Sequence, residues 1–246
     1  MKVIILAAGR GSRLGKRTAD KPKCMCMLSG RTILDRCLES ISKAGFKQKD
    51  IAIVTGYKKE MFTVKDVTYF HNSNWENTNM FTSLTMAEEW LKNEKCIVCY
   101  SDVVFSSEAL KLLSECDSEL ALTYYTEFME LWKQRMDDPL SDLETFKMDS
   151  DNILTEIGKK TKSEKDIEGQ YMGLILFTPE SWEWVQKTIS RPLPKPVQKL
   201  DMTTLLQGLI EDGRKIKAIP TSELWLECDT EQDIDVYEKI YKKELE

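Results

Sequence analysis

Near the amino end, the segment Leu6-Ala7-Ala8-Gly9-Arg10-Gly11-Ser12-Arg13 places two glycines and two arginines directly after a short apolar run. Glycine lets backbone N–H groups approach phosphate oxygens closely and adopt positive φ, and Arg10, Arg13, Lys16 and Arg17 add positive charge. The chemistry that suits such a loop is polyphosphate binding. An ordinary surface turn with solvated arginines has the same composition, so the loop needs partners elsewhere in the chain.

Three partners are visible. Lys21-Pro22-Lys23 follows about ten residues on, where the proline ring fixes φ and holds two lysines in an extended segment. Asp102 ends the apolar run Cys96-Ile97-Val98-Cys99-Tyr100, and Asp229 ends the run Leu224-Trp225-Leu226-Glu227-Cys228. A carboxylate at the carboxyl edge of a strand points into the crevice where ligands collect in α/β sheets. Two hard oxygen ligands converging on phosphates suit Mg²⁺, which keeps several waters and bridges substrate oxygens. Taken singly, each aspartate also reads as a turn former, and Asp229, ahead of Thr230-Glu231, as a helix N-cap. With normal strand alternation Glu227 shares a face with Asp229 and is a secondary candidate.

Two well-known phosphate loops do not match. A dinucleotide fingerprint needs glycine where Leu14 stands, and the P-loop pattern of glycine followed by Lys-Ser or Lys-Thr is missing. His71, the only histidine, reads as structural or superficial.

The elements that must position these groups alternate between β-rich runs and helical patterns. Strands are expected at Lys2–Ala7, Ile51–Thr55, Val67–Phe70 and Cys96–Tyr100. Between them one helix carries Ile33, Leu34, Cys37, Leu38 and Ile41 on one face and ends at Gly45, and another spans Asn79–Asn93. Such alternation implies right-handed crossovers and a Rossmann-like, mixed but mostly parallel α/β sheet flanked by helices. After Asp102 the strands Leu120–Tyr125, Glu144–Met148, Ile153–Ile157 and Tyr171–Phe177 are expected with polar turns between them, as an antiparallel lid insertion over about 118–198 within one domain of residues 1–246. Gly158–Glu168 reads as a mobile loop, and Arg191–Pro196, with three prolines, as a break. The chain then returns to helix from Leu200, strands Ile216–Ile219 and Leu224–Cys228, and a closing helix from Thr230.

The net charge of −6 argues against a nucleic-acid partner, no apolar run reaches membrane-spanning length, and seven cysteines without framework spacing read as reduced thiols in a cytoplasm. Cys96 and Cys99 have the gap of a zinc or redox pair, but in a strand they face opposite sides.

Taken together, the glycine-arginine loop and the Lys-Pro-Lys segment resemble the signature of the nucleotidyltransferase superfamily that makes CDP-, UDP- and dTDP-activated small molecules. The resemblance extends almost to the C-terminus. It is closest to bacterial cytidylyltransferases of the phosphocholine and phosphonate type, through Asn79-Met80-Phe81-Thr82-Ser83-Leu84, Tyr100-Ser101-Asp102-Val103-Val104-Phe105, Gly169-Gln170-Tyr171-Met172-Gly173-Leu174 and Trp225-Leu226-Glu227-Cys228-Asp229-Thr230. Such a resemblance implies a CTP-dependent enzyme with Mg²⁺, joining CMP to a small phosphorylated acceptor with release of pyrophosphate and serving surface glycan or lipid decoration. Backbone groups of Leu6, Ala7, Ala8 and Gly9 would hold base and ribose, Gly11 and Arg13 the β- and γ-phosphates, and Lys23 the α-phosphate. Asn79 and Ser83 would border the nucleotide, Asp102 and Asp229 would hold the metal, and Arg13, Lys23, Asp102 and Asp229 form the expected catalytic set. Many relatives carry Asp-x-Asp at the first metal site, whereas Tyr100-Ser101-Asp102 offers one carboxylate here.

For the acceptor, Gln170, Tyr171 and Glu227 are positional candidates, and Trp132 and Trp225 are candidates for an aromatic cage around an ammonium. Ordinary core burial competes for both tryptophans. Phosphocholine, a phosphonate, a phosphorylated amino-acid derivative and a sugar phosphate all stay open as acceptors. Sugar-1-phosphate uridylyl or thymidylyl transfer is the enzymatic alternative, a nucleotide-sensing subunit the non-enzymatic one, and a homodimer is compatible with the chain.

Overall fold

The computed structural model describes residues 1–245. The strands β1 (Lys2–Ala7), β2 (Met27–Leu28), β3 (Arg31–Thr32), β4 (Ile51–Thr55), β5 (Thr68–His71), β6 (Cys96–Tyr100), β7 (Val103–Phe105) and β8 (Leu120–Tyr125) are followed by β9 (Glu144–Met148), β10 (Leu154–Lys160), β11 (Gln170–Phe177), β12 (Lys217–Thr221) and β13 (Trp225–Glu227). Seven of them make the central sheet, in the order β12-β8-β11-β6-β1-β4-β5. Its pairings are parallel except at β11, which runs antiparallel to both β6 and β8. The mixed, mostly parallel sheet expected from the alternation of elements is thus present.

Strand alternation sorts the core into two faces. In β1, Val3, Ile5 and Ala7 join one buried cluster with the helices α1 (Ile33–Lys43), α4 (Ser107–Glu115), α5 (Phe128–Arg135) and α8 (Glu231–Ile240). Ile4 and Leu6 join the other, with α2 (Met80–Thr85), α3 (Glu88–Asn93), α6 (Pro179–Ile189) and α7 (Met202–Glu211). Cys99 lies in the first cluster and Cys96 in the second, so the two thiols face opposite sides of the sheet.

Helix boundaries follow local chemistry. Thr32 and Asp35 form a reciprocal capping box on α1, and Gly45, at φ +94°, follows its last turn. The single helix expected over Asn79–Asn93 is two helices. The Thr85 hydroxyl donates to the Thr82 carbonyl at 2.8 Å, and Met86 and Ala87 bond to carbonyls three residues back, so the chain tightens and turns at Ala87.

Among the described residues, three antiparallel pairs stand apart from the central sheet, β2–β3, β7–β13 and β9–β10, and the β9–β10 hairpin is smaller than the run of strands expected after Asp102. Both β8 and β11 belong to the main sheet, and the full helix α5 lies between β8 and β9 where a polar turn was expected. Both strands are apolar on both faces, the pattern of a strand covered by helices on each side. Gly158–Lys160 are strand rather than loop. The rest of the segment to Glu168 is held by Thr161 and Lys147 on Asp166 and by an Ile167–Phe146 bridge. Among the described residues, no helix is long and apolar enough to cross a membrane.

Candidate active site

At the carboxyl ends of β1 and β6 lies a cavity of about 320 Å³ lined by Leu6, Ala8, Gly9, Gly11, Arg13, Lys23, Asn79, Ser83 and Asp102, together with Trp75, Thr78, Met80, Tyr100 and Ser101. Most of the nucleotide-side residues expected from the sequence are therefore brought to one place. Ala7, expected there through its backbone groups, turns its side chain away, since odd positions of β1 face the opposite cluster. Trp75 and Thr78 were not anticipated. The available signal was their position between a strand end and the start of a helix, on the ligand-collecting edge.

Gly11 opens the loop's short 3₁₀ segment at φ +75°, and a Cβ built on it would lie 2.6 Å from the Lys23 Cβ. The loop thus lies directly against the lysine stem, which only glycine allows. Pro22, at φ −61° and ψ 152°, turns the chain so that Lys23 reaches inward.

Asp229 arrives by strand pairing. Antiparallel β13 registers Glu227 opposite Val103 of β7, and the Cys228 N–H donates to the Asp102 carbonyl at 2.9 Å. The N-cap of α8 is Thr230, whose capping box with Asp233 also takes the Asp229 N–H, so the Asp229 carboxylate stays free of capping. The cap reading of Asp229 is thereby removed.

Both carboxylates close on one cation. Lys23 Nζ donates to Asp102 Oδ2 at 2.7 Å and to Asp229 Oδ1, and Arg13 reaches the same Asp229 oxygen at 3.0 Å. Burial alone would lower the Lys23 pKa, but the Asp102 and Asp229 charges outweigh it and raise it, so the ammonium is held protonated. For Asp229 burial pushes upward, and Lys23 followed by Arg13 pulls the carboxyl below its ordinary value. Asp102 Oδ1 is buried with no hydrogen-bond partner. The four charges balance two against two, which leaves a triphosphate's own charge uncompensated. Among the described residues no group of three metal-binding side chains occurs.

Behind Asp229 lies a buried arginine that sequence reasoning missed. Arg135, its side chain 2% exposed, holds Asp233 at 3.0 Å and Glu227 at 3.1 Å and lies 4.4 Å over the Trp132 ring. Nothing in the pattern of α5 distinguishes it from a solvated last-turn base.

A second cavity of about 330 Å³ shares Arg13 and Tyr100 with the first and is lined further by Asp142, Glu144, Lys160, Gln170, Tyr171, Asp201, Glu227 and Asp229. Gln170, Tyr171 and Glu227, the residues expected to meet the acceptor, thus line one cavity, and Asp229 lines it with them. Trp132 and Trp225 do not reach it. Each is 1% exposed, and they stack on each other at 5.9 Å. Their N–H groups go to Asp142 and to the Met172 carbonyl, so no aromatic cage can form from them. Glycine makes the close packing of this wall possible as well: Gly173, at φ +73° in the irregular stretch of β11, lies flat on Tyr100, where a Cβ would sit 2.7 Å from the ring. His71, exposed at the end of edge strand β5, lines neither cavity.

A loop of this shape at the end of the first strand, a lysine from the next turn and two strand-end aspartates together define an NTP transferase. The chain belongs to that family: residues 3–138 match the MobA-like NTP transferase domain. It is 33% identical over 255 residues to the CTP:phosphoglutamine cytidylyltransferase of Campylobacter jejuni, covering 96% of this chain and 98% of that protein. In fold it is similar to the inositol-1-phosphate CTP transferase from T. maritima, with a TM-score of 0.74 at 20% identity, covering 98% of this chain and 96% of the other. The CTP:phosphocholine cytidylyltransferase from Streptococcus pneumoniae gives 0.71 at 18% identity, with 98% of each chain covered.

Proposed function

We propose that this chain is a CTP-dependent cytidylyltransferase that joins CMP to a small phosphorylated acceptor and releases pyrophosphate. The observation that carries the reading is the meeting of Arg13, Lys23, Asp102 and Asp229 where the loop cavity and the acceptor-side cavity join. The likeness to a phosphoglutamine cytidylyltransferase over nearly the whole chain favours CTP over UTP or dTTP.

In this reading Leu6, Ala8 and Gly9 border base and ribose with Asn79 and Ser83, while Gly11 and Arg13 face the β- and γ-phosphates. Asn79 is partly committed, since its oxygen caps α2 through the Met80 N–H. An oxygen of the acceptor phosphate attacks the α-phosphorus, forming the new P–O bond as the bond to the β-phosphate oxygen breaks and pyrophosphate departs. A phosphate dianion needs no general base, so the work of the protein is alignment and charge neutralisation. Lys23 supplies positive charge where it builds up on the α-phosphate. The partnerless Asp102 oxygen and the facing Asp229 carboxylate fit Mg²⁺, which would neutralise phosphate charge there. The hairpin residues Glu144, Thr145, Phe146, Ile157 and Lys160 line the acceptor-side cavity, which supports reading β9–β10 as the core of the lid region.

Pyrophosphate release measured with each of CTP, UTP, dTTP and ATP, crossed with phosphorylated acceptors, tests the proposal. Turnover with CTP supports it. Preference for UTP or dTTP with sugar 1-phosphates would replace it by the alternative transfer, and CTP binding without turnover on any acceptor would indicate a sensing subunit.

A further inference from the structure

Behind the wall of the loop cavity, Asn72 directly follows β5 and is 2% exposed. Its Oδ1 accepts the Asn74 N–H at 3.0 Å. A backbone N–H can only donate, so this bond fixes which end of the amide is oxygen and turns the Nδ2 group the other way. Nδ2 donates to Thr78 Oγ1 at 2.9 Å and to Ser83 Oγ at 3.1 Å. The amide is thus pinned at both ends.

Thr78 and Ser83 both line the loop cavity. A hydroxyl has one proton to give and two lone pairs. Thr78 gives its proton to the Asn74 carbonyl at 2.9 Å, so toward the cavity it keeps only a lone pair. Ser83 lies in α2, where a serine proton can go to the carbonyl four residues back. Here that carbonyl takes the Ser83 N–H instead, and among the described residues the Ser83 hydroxyl accepts from Asn72 and donates to nothing. Its proton is available to a ligand. One asparagine therefore sets an acceptor and a donor next to each other on the cavity wall.

Pyrimidines differ in this respect. Cytosine accepts at N3 and donates from its N4 amino group, whereas uracil donates at N3 and accepts at O4. We propose that Asn72 is a positioning residue for nucleotide choice: by donating to both hydroxyls it leaves Ser83 to donate to cytosine N3 and Thr78 to accept from N4. Uracil would set donor against donor at Ser83 and acceptor against acceptor at Thr78. The inference rests on the cytidylyltransferase reading and adds the residue that sets the hydrogen-bonding sense of the base pocket from behind its wall.

Calorimetry on the full chain with Mg²⁺ gives Kd for CTP, UTP and 3-deaza-CTP, in which a C–H replaces N3. The wild type should bind 3-deaza-CTP about 3- to 10-fold more weakly than CTP, the range of one neutral hydrogen bond. UTP should bind about 10- to 100-fold more weakly, since both contacts are reversed. Ser83→Ala should remove the difference between CTP and 3-deaza-CTP. Asn72→Asp, whose carboxylate only accepts, draws the Ser83 proton away from the cavity. It should weaken CTP and tighten UTP, narrowing the gap between them at least tenfold, a reversal that a mere loss of stability would not produce. Should that buried substitution not fold, ¹⁵N-labelled wild type decides. The Asn72 side-chain N–H signal should move downfield with CTP and not with 3-deaza-CTP, because a hydroxyl that donates becomes a better acceptor. Equal wild-type Kd for CTP and 3-deaza-CTP, a difference that survives in Ser83→Ala, an unchanged gap in Asn72→Asp, or the same Asn72 shift with both nucleotides would overturn the assignment. Failure to bind CTP at all would overturn the underlying reading instead.

Discussion

Lys23 Nζ lies 2.7 Å from Asp102 Oδ2 across 79 residues of sequence, and the same ammonium also meets Asp229. The lysine therefore stands between the two carboxylates that the proposed reading gives to Mg²⁺, and in that reading a divalent ion would compete with Lys23 for them. Lys23→Met should lower kcat by about 100-fold or more. It should also tighten nucleotide-free Mn²⁺ binding by about tenfold, read by electron paramagnetic resonance. Unchanged or weaker Mn²⁺ binding in the variant would show that the lysine does not occupy the cation position.

Gly11→Ala places a methyl 2.6 Å from the Lys23 Cβ and strains a backbone at φ +75°. The lysine stem must move, so turnover should fall by at least tenfold while the melting temperature drops only a few degrees. A variant with wild-type kcat would separate the loop from lysine positioning.

Arg135 pairs with Asp233 in a nearly dry environment and with the partly exposed Glu227. Removing one member of such a cluster leaves charge buried without a partner, at a cost of about 3–5 kcal/mol. Arg135→Met should therefore lower the melting temperature by about 10 °C in calorimetry. A loss within a degree or two would mean that Glu227 and Asp233 are well solvated without it.

The thiols give a prediction about accessibility. Burial pushes Cys37 and Cys96 up to about 12 and raises Cys24, Cys26, Cys99 and Cys228, and all six are buried, whereas Cys116 is half-buried. At pH 8 a thiol reagent should label one cysteine per native chain and all seven after denaturation. Rapid labelling of Cys96 or Cys99, or zinc bound in stoichiometric amount, would reopen the metal reading of that pair.

Local chemistry written in single segments is legible in the sequence. The apolar run of Lys2–Ala7, the glycines after it, the proline ahead of Lys23 and the carboxylate past Tyr100 each have one physical consequence over a few residues. They place the nucleotide side without knowledge of distant contacts. The end of α1 at Gly45 was equally local, whereas the start of α8 was not, since Asp229 and Thr230 both carry cap chemistry and Thr230 took the role. The break at Ala87 was less visible, because it depends on how hydroxyls near a helix end compete for carbonyls.

Tertiary structure alone decided the acceptor side. A tryptophan's type does not say whether its ring faces solvent or core, and Trp132 and Trp225 bury against each other, fixed by pairings with residues far along the chain. Where a charge comes to lie is likewise a property of space: Arg135 resembles a surface base in sequence and is buried, while Glu144 resembles a surface acid and lines a cavity beside Lys160. The sequence by itself determined which residues could bind phosphate, since glycine, arginine and lysine carry that capacity wherever they lie. Strand register decided which carboxylates meet them, because one residue of slip in β13 would turn Asp229 to the other face.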